Sequence, residues 1–310
     1  MSELYAKAGD LDAQQAARKG RTLTFREAAD EYLTYLEQTA GKNIRQKRQQ
    51  LRDHLIPFFG RKKAATVRTA EVEVYKQRRL EAGVSKATVD RELAVLSHMY
   101  RSLRELDLLK ERPFAIKMFN PDNRKQVWFS PEDINRIFVA LSYEADPLVG
   151  LFVRLGLNTG MRHGEILSIR WEHIDFEGAV IHLPKAKAGA RNQPINETAI
   201  RVLRAYQGRT GATEGWVFAS DGKYGRRMSM KSQFARVMTF AGLDPKRYTA
   251  HAMRHTFITE LDRAGVSPTE IQPLSGHKSL AMVHRYTHVS EGRQHAAINK
   301  VAFEEHDEAV

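Results

Sequence analysis

The stretch SGHKSLAMVHRYTHVS, residues 275–290, decides how the rest of the chain is interpreted. His277 stands nine residues before Tyr286. The tyrosine is flanked by His284, Arg285 and His288. A phenol with a pKa of about 10 is only about 0.1% ionised at neutral pH, so it needs help to react. So many histidine and arginine side chains near one tyrosine indicate one of two situations. Either the tyrosine is a core residue beside solvated neighbours, or the site activates its phenol.

Composition is that of a globular protein in water. The 310 residues suffice for one large or two moderate domains, with 42% hydrophobic and 28% charged side chains. No apolar run approaches the ~20 residues of a membrane span, and the opening segment lacks the apolar block of a secretory signal. The absence of cysteine excludes disulfides and thiolate zinc sites. We therefore expect a cytoplasmic protein that binds no membrane.

The charge is strongly basic and unevenly distributed. Lys and Arg number 49 against 37 Asp and Glu, a net charge of +12, and residues 41–80 alone carry 12 basic and 3 acidic side chains. Concentrated positive charge favours a polyanion, because neutralising phosphates releases counterions. Nucleic acid is thus the leading partner, with a solvated helical surface as the alternative. No GxxxxGK[ST] phosphate loop is present, so we expect no nucleotide.

Helix signals predict an amino-terminal helical domain over residues 22–110, after an extension of residues 1–21. Thr24 and Glu27 have the spacing of a capping box, and a helix should follow to about residue 39. Apolar spacing predicts further helices over 43–55, 70–80 and 85–106, with turns at Pro57, Gly60 and Gly83. Residues 111–129 have two prolines and no helical period, which is typical of a linker.

A second domain is expected over residues 130–300, followed by an acidic tail at 301–310. Ser130 is a strong N-cap with proline after it. Helices are predicted over 147–157 and 161–169, and residues 179–183 and 192–195 should form a hairpin across a turn at Gly189. The predicted fold is mainly α with a small β-sheet or hairpin.

Two arginine motifs have helical spacing. In NTGMRHGEILSIRW, Arg162 and Glu165 lie three residues apart and should share a helix face, where an ordinary surface ion pair is the alternative. In TAHAMRHTFITEL, His251 and Arg254 have the same spacing, which also fits a satisfied interior histidine beside a surface arginine. Neither motif is decisive alone. Both motifs followed by His277 and Tyr286, in this order, form a combination that rarely occurs by chance.

These motifs resemble those of the tyrosine recombinases, the phage-integrase family. TGMRHGEIL resembles the first arginine box of the family, HAMRHTFIT its His-x-x-Arg box, and LSGHKSLAMVHRYTHVS its Gly-His and nucleophile boxes; the match spans residues 130–290. The resemblance implies a helical core-binding domain followed by a mixed α+β catalytic domain. Its implied substrate is double-stranded DNA.

The resemblance also implies residue roles. Tyr286 would attack a DNA phosphodiester, forming a 3′-phosphotyrosyl bond and releasing a 5′-hydroxyl. His251, with an ordinary pKa near neutrality, is the candidate general base. Arg162 and Arg254 would hold the nonbridging oxygens with permanently charged forks, and His277 would donate a further hydrogen bond.

The general acid of the family is a lysine in the hairpin. In VIHLPKAKAGARNQPI, Lys187 fits the family's lysine-x-glycine pattern better than Lys185. The alternative for both lysines is an ordinary charged hairpin without a catalytic role. Glu165 should support the site without exchanging protons. With side chains supplying the cations and the bond energy kept in the phosphotyrosine, no metal, cofactor or ATP is expected.

Several alternatives remain open at this stage. An integrase that works as a homotetramer on two DNA sites, through a Holliday junction, is the preferred prediction. A Xer-like dimer resolvase and a type IB topoisomerase share the chemistry, and a noncatalytic DNA-binding regulator would share the helix-turn-helix texture of the region before Tyr286. A zinc enzyme would use the i, i+4 pairs His251/His255 and His284/His288, but neither pair is His-Glu-x-x-His.

Overall fold

The computed structural model describes residues 22–121, 127–184, 189–284 and 286. The chain divides into two compact units, Met1–Asn123 and Arg124–Val310. The predicted extension 1–21 and tail 301–310 lie outside the described residues, and the predicted domain boundaries remain predictions. The described part of the chain is mostly helical with a three-stranded sheet, so the predicted fold class is confirmed. Within it, no helix combines the length and apolarity needed to cross a bilayer.

The first unit is helical. Its elements are α1 (Phe25–Gln38), α2 (Ile44–Gln50), a π-helical turn (Leu51–Leu55), α3 (Ile56–Phe59), a 3₁₀ turn (Ala64–Thr66), α4 (Thr69–Glu81) and α5 (Lys86–Glu105). The predicted capping box starts α1: the Thr24 hydroxyl accepts from the Glu27 amide at 3.2 Å, and the Glu27 carboxylate accepts from the Thr24 amide at 2.8 Å. Both ends of the box satisfy amides that would otherwise lack partners.

The turn predicted at Pro57 is wrong. Helix α2 runs on through the π-helical turn into α3, and the chain leaves the helix only at Gly60. A proline inside a regular helix clashes with the carbonyl four residues earlier. The wider turn just before Pro57 changes the backbone register there, which lets the helical path continue.

A buried ionic group lies between α4 and α5. The Glu92 carboxylate, 1% exposed, accepts hydrogen bonds from Tyr75 Oη at 2.6 Å and from Arg79 Nε and Nη2 at 2.9 and 2.6 Å. Tyr75, Arg79 and Glu92 are called the Glu92 cluster below. Its donors compensate the carboxylate for its lost hydration.

Residues 111–121 of the predicted linker have no helix or strand and lie along the first unit, whereas residues 127–129, its other described part, belong to the second unit. The Ala115 amide donates to Thr69 Oγ1 at 3.0 Å, and the Phe119 amide donates to Asp90 Oδ1 at 2.9 Å. The buried ammonium of Lys76 donates to the Lys117 carbonyl at 2.9 Å. These contacts satisfy backbone groups that an irregular segment leaves unpaired.

The second unit combines helices with a small antiparallel sheet. Its elements are α6 (Pro131–Ser142), α7 (Pro147–Thr159), α8 (His163–Ile166), a 3₁₀ turn (Trp171–His173), β1 (Ile174–Asp175), β2 (Val180–Leu183), β3 (Arg191–Pro194), α9 (Glu197–Thr210), α10 (Lys231–Phe240), α11 (His251–Arg263), α12 (Pro268–Ser275) and α13 (Leu280–Val283). The sheet order is β1-β2-β3, and Ile181 pairs with Gln193 across the predicted hairpin. The hairpin is confirmed, whereas the two-residue strand β1 was not predicted.

The helix predicted over 161–169 is mostly absent. Gly160 ends α7 in the left-handed region at φ +59°, and Arg162 is extended, with φ −65° and ψ 145°, as the N-cap of the single-turn helix α8. The apolar spacing that suggested one helix instead belongs to buried loop residues on either side of α8. Arg162 therefore lies before a helix rather than on one.

Helices α7 and α11 approach closely at two glycines. A Cβ at Gly156 would lie 2.6 Å from Met253 Sδ, and a Cβ at Gly160 would lie 2.3 Å from Phe257 Cδ1. Only hydrogen atoms fit at these points. The close crossing brings the beginning of α11, with His251 and Arg254, next to the loop that carries Arg162.

Candidate active site

Arg162 is held in place at both ends of its guanidinium. Its Nη1 donates to Glu165 Oε1 at 3.0 Å, and its Nη2 donates to the Gly276 carbonyl at 2.9 Å. The second contact joins two loops that are more than a hundred residues apart in sequence. The side chain remains 25% exposed, so the guanidinium is fixed but still accessible.

Glu165 is shared between two arginines. Besides Arg162, it accepts from Arg191 Nη2 at 3.1 Å, and its side chain is 6% exposed. Burial alone would raise the pKa of Glu165, but the Arg162 amide and the charges of Arg191 and Arg162 outweigh burial and hold that pKa below its ordinary value. The carboxylate stays ionised and orients both guanidinium groups.

Arg254 is a buried cation whose charge is only partly satisfied. It is 1% exposed, and its Nη1 donates to the Gly160 carbonyl at 2.8 Å. Among the described residues, its buried Nη2 has no hydrogen-bond partner. Burial, followed by the charge of Arg162, lowers the pKa of Arg254 to about 10, so the group remains protonated at neutral pH. An anionic acceptor at Nη2 would complete the hydrogen bonding of the guanidinium.

His251 lies at the first position of α11, one turn before His255. The residue is exposed at the surface. Partial desolvation by the protein around the ring, followed by the charges of Arg254 and Arg162, lowers the pKa of His251. The imidazole is therefore neutral at pH 7 and able to accept a proton.

His277 follows the left-handed Gly276 at the end of α12. Its Nδ1 lies 2.9 Å from Ser275 Oγ, and its ring centroid lies 5.8 Å from that of Tyr286. Burial, followed by the charges of Arg254 and Arg162, lowers the pKa of His277 to about 4. The Ser275 hydroxyl also lies 3.1 Å from the Gln272 carbonyl, to which it can donate instead. When it donates to Nδ1, the ring proton of His277 is on Nε2, the tautomer that can donate outward.

Tyr286 is seated in a small apolar cluster and is 6% exposed. It packs with Ile258, Ile271 and Val283, which come from three different helices. Its phenol also interacts electrostatically with Arg254. The helices thus hold the ring from several sides.

The structure gathers six of the seven residues predicted for the site: Arg162, Glu165, His251, Arg254, His277 and Tyr286. Lys187, like its alternative Lys185, lies outside the described residues, so its prediction is not tested. Of the other residues around the tyrosine, His284 is exposed, and Arg285 and His288 are outside the described part.

Two members of the cluster were missed by sequence reasoning. Arg191 begins β3 and reaches Glu165, and a Cβ at Gly276 would lie 2.7 Å from its Nε. The alternation of β3 was the available signal, because it points Arg191 and Gln193 to the same face of the sheet. His255 was considered only as a zinc ligand. Its ring instead contacts His251 and Tyr286, with centroids 4.6 and 5.1 Å apart.

The site has more positive than negative charge. Three guanidinium groups surround one carboxylate, and neutral histidines line the space beside the phenol. Such an arrangement attracts an anion with several oxygen atoms, as a phosphate diester has. Within the described ranges, no group of three His, Cys, Asp or Glu side chains is arranged to hold a metal ion.

Comparison with known proteins agrees with this chemistry. The model of the phage integrase family matches residues 127–293. The integrase of Salmonella phage P22 is 29% identical over 66% of this chain and 54% of its own length, so the chain spans about half of that relative. This protein belongs to the phage integrase family, which confirms the resemblance drawn from the motifs.

Solved structures show the same fold. The Tn1549 transposon integrase in complex with transposon right end DNA has a TM-score of 0.74 and 21% identity, over 91% of this chain and 100% of that one. A lambda integrase tetramer bound to a Holliday junction has a TM-score of 0.72 and 18% identity, over 90% of this chain and 80% of that one.

Proposed function

We propose that the protein is a site-specific DNA recombinase that cuts and rejoins double-stranded DNA through a 3′-phosphotyrosyl intermediate. The observation that carries the proposal is the setting of Tyr286, whose phenol lies beside Arg254 and in ring contact with His277. A phenol surrounded by cations and neutral bases suits attack on a phosphate diester.

Each side chain has a role in this proposal. Tyr286 attacks phosphorus while His251 takes the phenolic proton. Arg162 and Arg254 bind the nonbridging oxygens, and Arg254 Nη2, which has no partner among the described residues, gains an acceptor there. His277 donates from Nε2 to the same phosphate.

The departing 5′-oxygen needs a proton, for which Lys187 is the candidate, with Lys185 as the alternative. Glu165 keeps Arg162 in place and exchanges no proton. The phosphotyrosine conserves the energy of the broken bond, so the 5′-hydroxyl of another strand can reverse the step without ATP. No step requires a metal ion.

A nicked suicide substrate tests the chemistry. After cleavage the short 5′-hydroxyl fragment diffuses away, which traps the protein on DNA as an adduct that survives SDS. Wild-type protein should form this adduct with or without EDTA, whereas Tyr286→Phe should form none while still binding DNA. Adduct formation by the Phe variant would remove Tyr286 from its role, and DNA binding without any wild-type adduct would favour a noncatalytic regulator.

The biological outcome is proposed to be integration, carried out by four protomers on two DNA sites. The membership of the chain in the phage integrase family supports this choice, as do the lambda integrase tetramer on a Holliday junction and the integrases among the similar proteins. A Xer-like resolvase or a type IB topoisomerase would use the same residues. Sequencing the DNA junctions made in cells separates integration from resolution, and relaxation of a plasmid without junctions would indicate a topoisomerase.

A further inference from the structure

His255 lies against the nucleophile, but the mechanism above gives it no role. It follows Arg254 on α11, one helical turn after His251. Its ring meets the Tyr286 ring edge-on, with centroids 5.1 Å apart and planes at 61°, and meets the His251 ring with centroids 4.6 Å apart and planes at 79°. It therefore contacts both the proposed nucleophile and the proposed base, and edge-to-face contacts of this kind fix the orientation of rings.

The Nδ1 atom of His255 is buried and has no hydrogen-bond partner among the described residues. An unpaired nitrogen in this place costs free energy that a phenyl ring would not cost. When the neutral ring carries its hydrogen on Nε2, Nδ1 is the atom that receives a second proton. A proton there would find no acceptor among the described residues and would add a charge next to Arg254.

The groups that face His255 make its charged form unfavourable. His251 and Arg254 come from its own helix, while Tyr286 and His277 face it from the later part of the chain. Burial, followed by the charges of His251 and Arg254, lowers the pKa of His255 to about 4. At neutral pH the ring is uncharged and can pack against the phenol as an apolar surface.

We propose that His255 is a positioning residue for Tyr286, which orients the phenol by ring contact as long as its imidazole is neutral. This inference rests on the proposed function of Tyr286. It assigns His255 no proton transfer, because a base with so low a pKa is a poor acceptor for a phenolic proton. Protonation of His255 in acid would then disturb the orientation of the Tyr286 phenol.

Two substitutions distinguish the contribution of the His255 ring from that of its ring nitrogens. His255→Ala removes the ring and should slow single-turnover cleavage of the suicide substrate by about 5- to 10-fold at pH 7.5 and saturating DNA, the range expected for one aromatic contact. His255→Phe keeps a ring and should remain within about 2-fold of wild type. DNA affinity should be unchanged in both, because His255 acts on Tyr286 and not on DNA.

The pH profile tests the charge dependence. As pH falls from 7.5 to 4, wild-type His255 becomes half protonated near pH 4, whereas the phenyl ring of the His255→Phe variant cannot titrate. The rate ratio of His255→Phe to wild type should therefore rise about 2-fold. His251 and His277 titrate in both proteins, but the charge of protonated His255 also lowers the pKa of His277, so their contributions cancel only in part in the ratio.

A histidine–tyrosine pair in the first unit provides the matched control. His98 and Tyr32 have ring centroids 5.5 Å apart at 58°. His98→Ala and His98→Phe should leave the cleavage rate at saturating DNA unchanged. Thermal unfolding of every variant establishes that it is folded. If His255→Ala does not fold, the pH profile of His255→Phe still tests the inference.

Three results would overturn the inference: equal rates for His255→Ala and wild type, equal losses for the Ala and Phe variants, or a rate ratio that stays flat down to pH 4. These outcomes differ from failure of the proposed function. In that case wild-type protein would form no covalent adduct at any pH.

Discussion

Each of the two units buries charge, but in opposite ways. In the Glu92 cluster of the first unit, the carboxylate receives three hydrogen bonds from Tyr75 and Arg79. In the second unit, buried Arg254 keeps one unpaired terminal nitrogen, and Arg191 Nε and His255 Nδ1 are also buried without a partner among the described residues. The first group is complete without a ligand. The second lacks acceptors.

This difference separates a structural use of charge from a binding use. A buried ion pair with its hydrogen bonds satisfied holds helices in register, whereas buried cations without acceptors lower stability until an anion arrives. The atoms of Arg254 and Arg191 that lack a partner among the described residues lie near Tyr286 and Glu165, where the proposed phosphate would bind. Substitutions in the two groups should therefore have opposite consequences for stability and activity.

The largest effect is expected for Arg254→Met, which keeps the length of the side chain and removes its charge. Cleavage of the suicide substrate should fall by about 100- to 1,000-fold, the usual cost of losing one preorganised donor. The free energy of unfolding should change little, because an incompletely paired buried charge disappears with its donor. Quench-flow cleavage and urea unfolding measure the two quantities. A large loss of stability with intact cleavage would mean that the charge of Arg254 serves structure and not binding.

Glu92→Gln should show the opposite pattern. It removes the negative charge that pairs with Arg79, and it should lower the free energy of unfolding by about 3 kcal/mol. Cleavage at saturating DNA should be unchanged as long as the protein is folded. The control is Glu37→Gln, which disrupts an exposed pair with Arg48 and should cost less than about 0.5 kcal/mol. If both variants lose the same free energy of unfolding, the burial of Glu92 does not strengthen its contribution to stability.

Gly276→Ala should reduce activity by about 10-fold through geometry alone, since a small misplacement of a positioning group can cost this much or more. Gly276 has φ +61°, its Cβ would lie 2.7 Å from Arg191 Nε, and its carbonyl accepts from Arg162. Gly211→Ala is the matched control, since Gly211 ends α9 at φ +68° with nothing within 4 Å of a Cβ. Both variants have the left-handed strain, about 1 kcal/mol, but only Gly276→Ala should slow cleavage. Equal cleavage rates in the two variants would contradict the proposed role of this carbonyl.

The smallest effect is a gradual loss of stability in acid. The folded-state pKa values of His255 and His277 are lowered to about 4, so between about pH 6.5 and 4 the unfolded chain binds more protons than the folded one. The stability contributed by the two neutral rings is fully present above this window and falls as pH falls through it. Urea midpoints should decrease over the same window, less steeply for His255→Phe/His277→Phe than for wild type. Parallel slopes would mean that the acid loss arises elsewhere, for example at His98.

Local sequence rules predicted the features that depend on neighbouring residues. The capping box at Thr24 and the N-cap at Ser130 begin helices because their partners lie three residues away, and the hairpin formed because both of its strands are close in sequence. The path through Pro57 and the short α8 were mispredicted for the opposite reason. In both places the backbone follows tertiary packing that spacing alone does not encode.

The same limit applies to the site. Arg162, Arg254, His277 and Tyr286 were identified because family motifs mark them, not because a local pattern places them together. Arg191 and His255 were missed because their importance depends on contacts with Glu165 and Tyr286, which only the folded chain brings close. A single sequence shows the residue types of a site more readily than the residues that orient it.

The crossing of α7 and α11 has a practical consequence for redesign. At Gly156 and Gly160 the two helices touch through hydrogen atoms, and Arg254 reaches the Gly160 carbonyl only because no side chain intervenes. One added methyl group at Gly160, where φ is positive and the Phe257 ring lies directly opposite, would push the two helices apart. Libraries that vary other positions of the second unit should leave these two glycines untouched.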